Sequence, residues 1–77
     1  MNSDQLRNTA EYARCMNKIR SYKSGFEFTL QYDEIPRKTG NALRIIMRDA
    51  CNAGLIEMLA TDISIDCEIT AETYRRM

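Results

Sequence analysis

The chain has 77 residues, the size of one domain and too few for two independent cores. Apolar residues make up 44%, charged residues 29%, and the formal net charge is zero; this is the balance of a folding chain rather than a disordered tail, and neither a bilayer-spanning run nor a secretory signal is expected. Histidine is absent and the cysteines, Cys15, Cys51 and Cys67, are an odd number without CxxC spacing, which excludes a disulfide framework and a zinc site together and points to a reducing, cytoplasmic setting.

From Ser3 to Ser24 the apolar residues Leu6, Ala10, Ala13, Met16 and Ile19 recur every three or four positions, with Tyr12, Cys15 and Tyr22 widening the stripe. This spacing predicts one amphipathic helix, capped by Ser3 and stopped at Gly25. Phe26 to Asp33 changes period, Phe26, Phe28, Leu30 and Tyr32 alternating with Glu27, Thr29 and Gln31, as in a half-buried strand. Asp33 to Gly40 contains the only proline, Pro36, and is expected to be a connection, with Thr39 or Asn41 capping the next helix.

Ala42 to Ala53 returns to helical spacing, with Leu43, Ile46, Met47 and Ala50 on one face and Arg44, Arg48 and Asn52 on the other, and Gly54 ends it. Leu55 to Leu59 and the alternating Ile63, Ile65, Cys67 and Ile69 are expected to form a hairpin turning at Ala60 to Asp62, and Thr70 to cap a last helical turn through Arg76. The expected fold is α+β: two helices packed on a three-stranded antiparallel sheet in the order α-β-α-β-β. Phe26, Phe28, Leu30, Leu43, Ile46, Met47, Ile63 and Ile65 are its expected core, and the cysteines count as small buried hydrophobes.

No catalytic constellation emerges. Without histidine the usual proton shuttle near neutral pH is missing, the adjacent Asp33 and Glu34 fall in a connection, and the three glycines each mark an expected element boundary instead of a phosphate cradle. A non-enzymatic protein without cofactor or metal is expected. Charge is distributed unevenly: residues 1 to 48 hold nine Lys/Arg against five Asp/Glu, or +4, and residues 49 to 77 hold two against six, or −4. Such polarity can steer a charged partner or align two copies, and dimerisation is one way for so small a chain to bury more surface.

The stretch from Thr39 to Glu57, with the small-residue, Gly54, Leu55, Ile56 ending and the hairpin after it, resembles the recognition helix and wing of winged helix-turn-helix domains, over residues 34 to 69. The resemblance implies a helix that enters the DNA major groove and a wing on the backbone. Carried over position by position, Lys38, Thr39, Asn41, Arg44 and Arg48 form the groove-facing set, with Arg44 and Asn41 suited to guanine and adenine edges. The sequence departs from the family in placing a strand pattern and Pro36 where a preceding helix belongs, and in an acidic wing containing Asp62, Asp66 and Glu68.

The competing expectation is a protein-binding module of the kind small phage and mobile-element proteins often are: an inhibitor, anti-defence factor, adaptor or antirepressor acting on a host protein. Its contacts would come from Tyr12, Tyr22, Tyr32 and Tyr74 with Arg14 or Arg37, residue types enriched at interface hot spots. A membrane-surface role is not expected, because Glu11 interrupts the basic face of the first helix and its apolar face is needed for the core.

Overall fold

A computed structural model describes residues 2–77. The α+β reading holds: three helices, Ser3–Arg7 (α1), Ala10–Ser21 (α2) and Arg37–Asn52 (α3), accompany a three-stranded antiparallel sheet of Glu27–Gln31 (β1), Ile56–Ile63 (β2) and Ile69–Arg76 (β3). The last strand in sequence lies in the middle, the order being β1-β3-β2. No described helix is long and apolar enough to cross a membrane.

The expected first helix is broken in two. Asn2, not Ser3, caps α1, its side chain accepting from the Gln5 amide while the Gln5 side chain accepts from the Asn2 amide, a reciprocal capping box. Thr9 then stops one helix and starts the next: its hydroxyl donates to the Leu6 carbonyl at 2.7 Å and accepts from the Tyr12 amide at 3.2 Å. A mid-stripe threonine that can bond backbone on both sides competes with helix continuation. The second helix ends at Ser21, before Gly25, which takes a left-handed φ of 89° in the following turn.

α3 starts five residues earlier than its periodicity suggests, immediately after Pro36, with no side-chain cap. Gly40 therefore lies inside the helix, buried, and a Cβ there would sit 3.4 Å from the Tyr32 ring. Gly54 terminates α3 as expected, with φ of 75°.

The hairpin turns at residues 64–68, not at Ala60 to Asp62, and the expected terminal helical turn is β3. Around the tip the Cys67 amide bonds the Ser64 carbonyl and the Ser64 amide bonds the Glu68 carbonyl, with Cys67 left-handed at φ of 63°. This is the form of hairpin loop in which a turn is followed by one residue of positive φ, a place glycine usually takes. The apolar alternation of Ile63, Ile65 and Cys67 thus runs through a turn: Ile65 is 99% exposed, Ile63 62% exposed, and Cys67 is exposed too.

The core gathers Leu6, Met16, Ile19, Ile46, Met47, Ala50, Ile56 and Tyr74 between the helices and one side of the sheet. Of the residues expected there, Ile46 and Met47 are buried, Phe28 and Leu30 pack against the cluster, Leu43 is half-buried, and Phe26 joins Ile63 and Ile65 outside. The opposite side of the sheet is polar, with a Thr29–Thr73 hydroxyl bond and an Arg75–Glu57 ion pair across strands.

One carboxylate ties the three helices together. Asp49 of α3 accepts Arg7 Nε at 2.8 Å, Arg7 Nη2 at 3.0 Å and the Tyr12 hydroxyl at 2.6 Å. These donors, Arg7 first and Tyr12 next, lower the Asp49 pKa to about 2, because hydrogen bonds and a facing cation favour the charged form. A carboxyl with a depressed folded pKa contributes stability that is complete above the unfolded value, about 4, and is lost as pH falls through the folded value. The melting temperature is expected to decline between pH 4 and pH 2, and Asp49→Asn to lower it at pH 7 and flatten that acid decline; circular dichroism melts across the range check both. At the tip, Cys67→Gly relieves a left-handed residue with a side chain and is expected to raise stability by up to ~1 kcal/mol, read as an increased denaturant midpoint with unchanged slope.

Candidate nucleic-acid interface

The apolar stripe of α3 decides what the helix shows to solvent. With Ile46, Met47 and Ala50 turned into the core, the opposite side carries Arg37, Asn41, Arg44 and Arg48, all exposed. At 3.6 residues per turn these four fall within about 60° of one another and run about 16 Å along the axis. Among the described residues none of Arg37, Lys38, Arg44 and Arg48 forms an ion pair; the pairs are Arg7 with Asp4 and Asp49, Arg14 with Glu11, and Arg75 with Glu57.

Of the expected groove-facing residues, Asn41, Arg44 and Arg48 lie on this line. Lys38 is exposed to one side of it, and Thr39, although exposed, points about 160° away from Arg37 in the first turn. Arg37, expected in a protein-contact set, also lies on this line. A helix started at Ala42 leaves it outside α3; the available signal is Pro36, since a proline's fixed φ and missing amide donor suit a helix start.

Arg44 stands with its guanidinium carbon 5.9 Å from the centre of the Tyr32 ring, close enough for a weak cation–π attraction. Tyr32 belongs to a 3-10 turn, Tyr32–Glu34, between β1 and α3, and Gly40 leaves room for its ring. Its hydroxyl is buried without a hydrogen bond; burial and then the neighbouring Glu72 push the phenol well above its ordinary pKa. Glu72 is a buried carboxylate that accepts the Tyr74 hydroxyl at 2.9 Å. Glu72 and Tyr74 are thus held within the fold, while the half-buried Tyr32 ring reaches the groove beside Arg44.

Two grooves flank the start of α3. On one side Arg37, Asn41 and Arg44 face Tyr32, Asp33 and residues 67–70 of the hairpin, so Glu68 looks across at the arginines. On the other, Leu6 of α1 and its cap Asn2 stand opposite Arg37, Lys38, Ala42 and Ile45.

The residues expected at a protein contact do not converge. Tyr74 is 2% exposed and faces the core, so it offers no surface, and Tyr12 is half-buried and bound to Asp49. Tyr22 is half-buried and stacks on Phe26 with ring centres 4.6 Å apart, Tyr32 lies under Arg44, and Arg14 pairs with Glu11 on the exposed side of α2. Burial raises the thiol pKa of Cys15, with Lys18 opposing it, and that of Cys51, where Glu72 adds to the effect; neither has the depressed pKa of a reactive thiolate. No group of three or more His, Cys, Asp or Glu gathers among the described residues as a metal would need. No protein family model matches the chain, and neither any curated protein nor any solved structure shows significant similarity to it.

Proposed function

We propose that the chain is a small non-enzymatic cytoplasmic regulator that binds duplex DNA through the exposed face of α3, in the manner of a winged-helix domain. The observation that carries this reading is the line of Arg37, Asn41, Arg44 and Arg48, unpaired and aligned on a helix whose other side is committed to the core. A B-DNA major groove about 12 Å wide accepts a helix; arginine fits the guanine edge and asparagine the adenine edge. Lys38 lies where a phosphate contact at the groove's margin is useful, and the hairpin stands beside α3, where a wing belongs.

A protein partner is the second reading, favoured by the hairpin itself. Its tip presents Asp62, Asp66 and Glu68 with an uncovered Ile63 and Ile65, a surface that repels phosphate and suits a basic, apolar protein face. An inhibitor or adaptor acting on a host protein would use it.

Salt separates the readings. DNA affinity is expected to fall steeply with rising salt, because each neutralised phosphate releases condensed counterion, and the pair Arg44→Ala with Arg48→Ala is expected to reduce the slope of log K against log salt by about two. Fluorescence anisotropy on random and genomic duplexes measures it. No binding at low salt would remove the DNA reading and leave the protein-binding one.

A further inference from the structure

The hairpin tip and the start of α3 carry opposite exposed charge. At one extreme the hairpin tip places Ile65, 99% exposed, beside Asp66 and between Asp62 and Glu68. A fully exposed β-branched aliphatic on a tight turn has no role in its own fold, since nothing in the molecule covers it. Across α3, the groove against α1 has the reverse character. Leu6, Ala42 and Ile45 give it an apolar floor, Arg37 and Lys38 stand exposed at its edge, and neither cation has an acidic partner among the described residues. The chain's own tip lies along the opposite side of α3, where residues 67–70 face Arg44 and Tyr32, so it does not enter this groove.

We propose that the groove between α1 and α3 receives the hairpin tip of a second copy of this chain, so that copies associate head to tail. Ile65 fills the apolar floor and the tip's carboxylates face Arg37 and Lys38. The occupant is argued from charge complementarity: three acids surround the protruding apolar residue, and two unpaired cations border the apolar recess. The two surfaces differ, so the contact is heterologous; each copy donates one tip and accepts one, and growth continues past the dimer unless the rotation closes a ring. The contact requires no nucleic acid and stands or falls apart from the DNA reading.

Sedimentation velocity of the purified chain under reductant, from micromolar to millimolar concentration, tests it. The weight-average mass is expected to rise with concentration and to fall as salt is added, since the rim charges are exposed and screened. Ile65→Asp, which spoils the tip, and the double change Arg37→Glu with Lys38→Glu, which spoils the groove, are each expected to weaken self-association roughly ten- to hundredfold, the scale set by losing one buried aliphatic side chain. All three positions are exposed, so the fold tolerates them. Mixing the two variants joins the intact tip of one to the intact groove of the other and is expected to give a one-to-one dimer that does not grow. A wild-type chain that stays monomeric in low salt, variants that associate as well as wild type, or a mixture that remains monomeric would each overturn the proposal.

Discussion

The arrangement of the whole molecule rests on the parity of β3. Glu72, Tyr74 and Arg76 point toward the helices, and Thr73 and Arg75 point away, a choice fixed by the middle of the strand: Tyr74 lies opposite Phe28 on one side and Met58 on the other, Thr73 opposite Thr29, Arg75 opposite Glu27 and Glu57. Side chains alternate strictly along a strand, so a slip of one residue would bring Thr73 and Arg75 inside and expel Tyr74. Tyr74 is the anchor of this choice. It is 2% exposed, stacks on Phe28 with centres 5.7 Å apart, and its hydroxyl satisfies the buried Glu72. The single covered side of the sheet then accepts α2 and α3, and the polar side stays in water.

The orientation of α3 is a second-order result of the same packing. Once Ile46, Met47 and Ala50 meet the sheet, the arginine line has only one direction to face. Asp49 fixes the remaining freedom by drawing Arg7 and Tyr12 onto α3, and that attachment holds α1 alongside the helix and so shapes the groove containing Leu6, Ala42 and Ile45. The basic face and the apolar recess therefore share a cause: each is what the core leaves over.

Much of the architecture was legible in the spacing of apolar residues. α3, β1 and the stop at Gly54 were readable because their apolar periods are regular and their inner residues are the ones that pack. The second half of the hairpin was not, for a specific reason: the inward positions of β3 are Glu72, Tyr74 and Arg76, so the central strand carries no aliphatic alternation, while the strongest alternation in the region, Ile63 to Ile69, spans the turn. Cys67 hides that turn further, since a positive φ is usually announced by Gly or Asn. The break at Thr9 depends on a hydroxyl choosing backbone partners. At the candidate interface, Asn41, Arg44 and Arg48 were readable from α3's period, whereas Arg37 and the flanking groove required knowing that Pro36 opens the helix and that α1 folds back onto it.

The position of β3 constrains how the protein is made. β1 has its only strand neighbour in β3, and so has β2; until residue 69 leaves the ribosome, two aromatic and aliphatic strands wait with open edges. At about 5–20 residues per second the wait is roughly 2–8 s for β1 and roughly a second or less for β2, which ends only at Ile63, both long compared with the ~1–10 μs in which a hairpin closes. The helices can condense meanwhile, but Phe28, Leu30 and Met58 have nothing to pair with. Synthesis rate and access to holding chaperones therefore bear on the yield of this chain more than its small size suggests, and slow codons placed before residue 69 would lengthen the exposure that fast ones shorten.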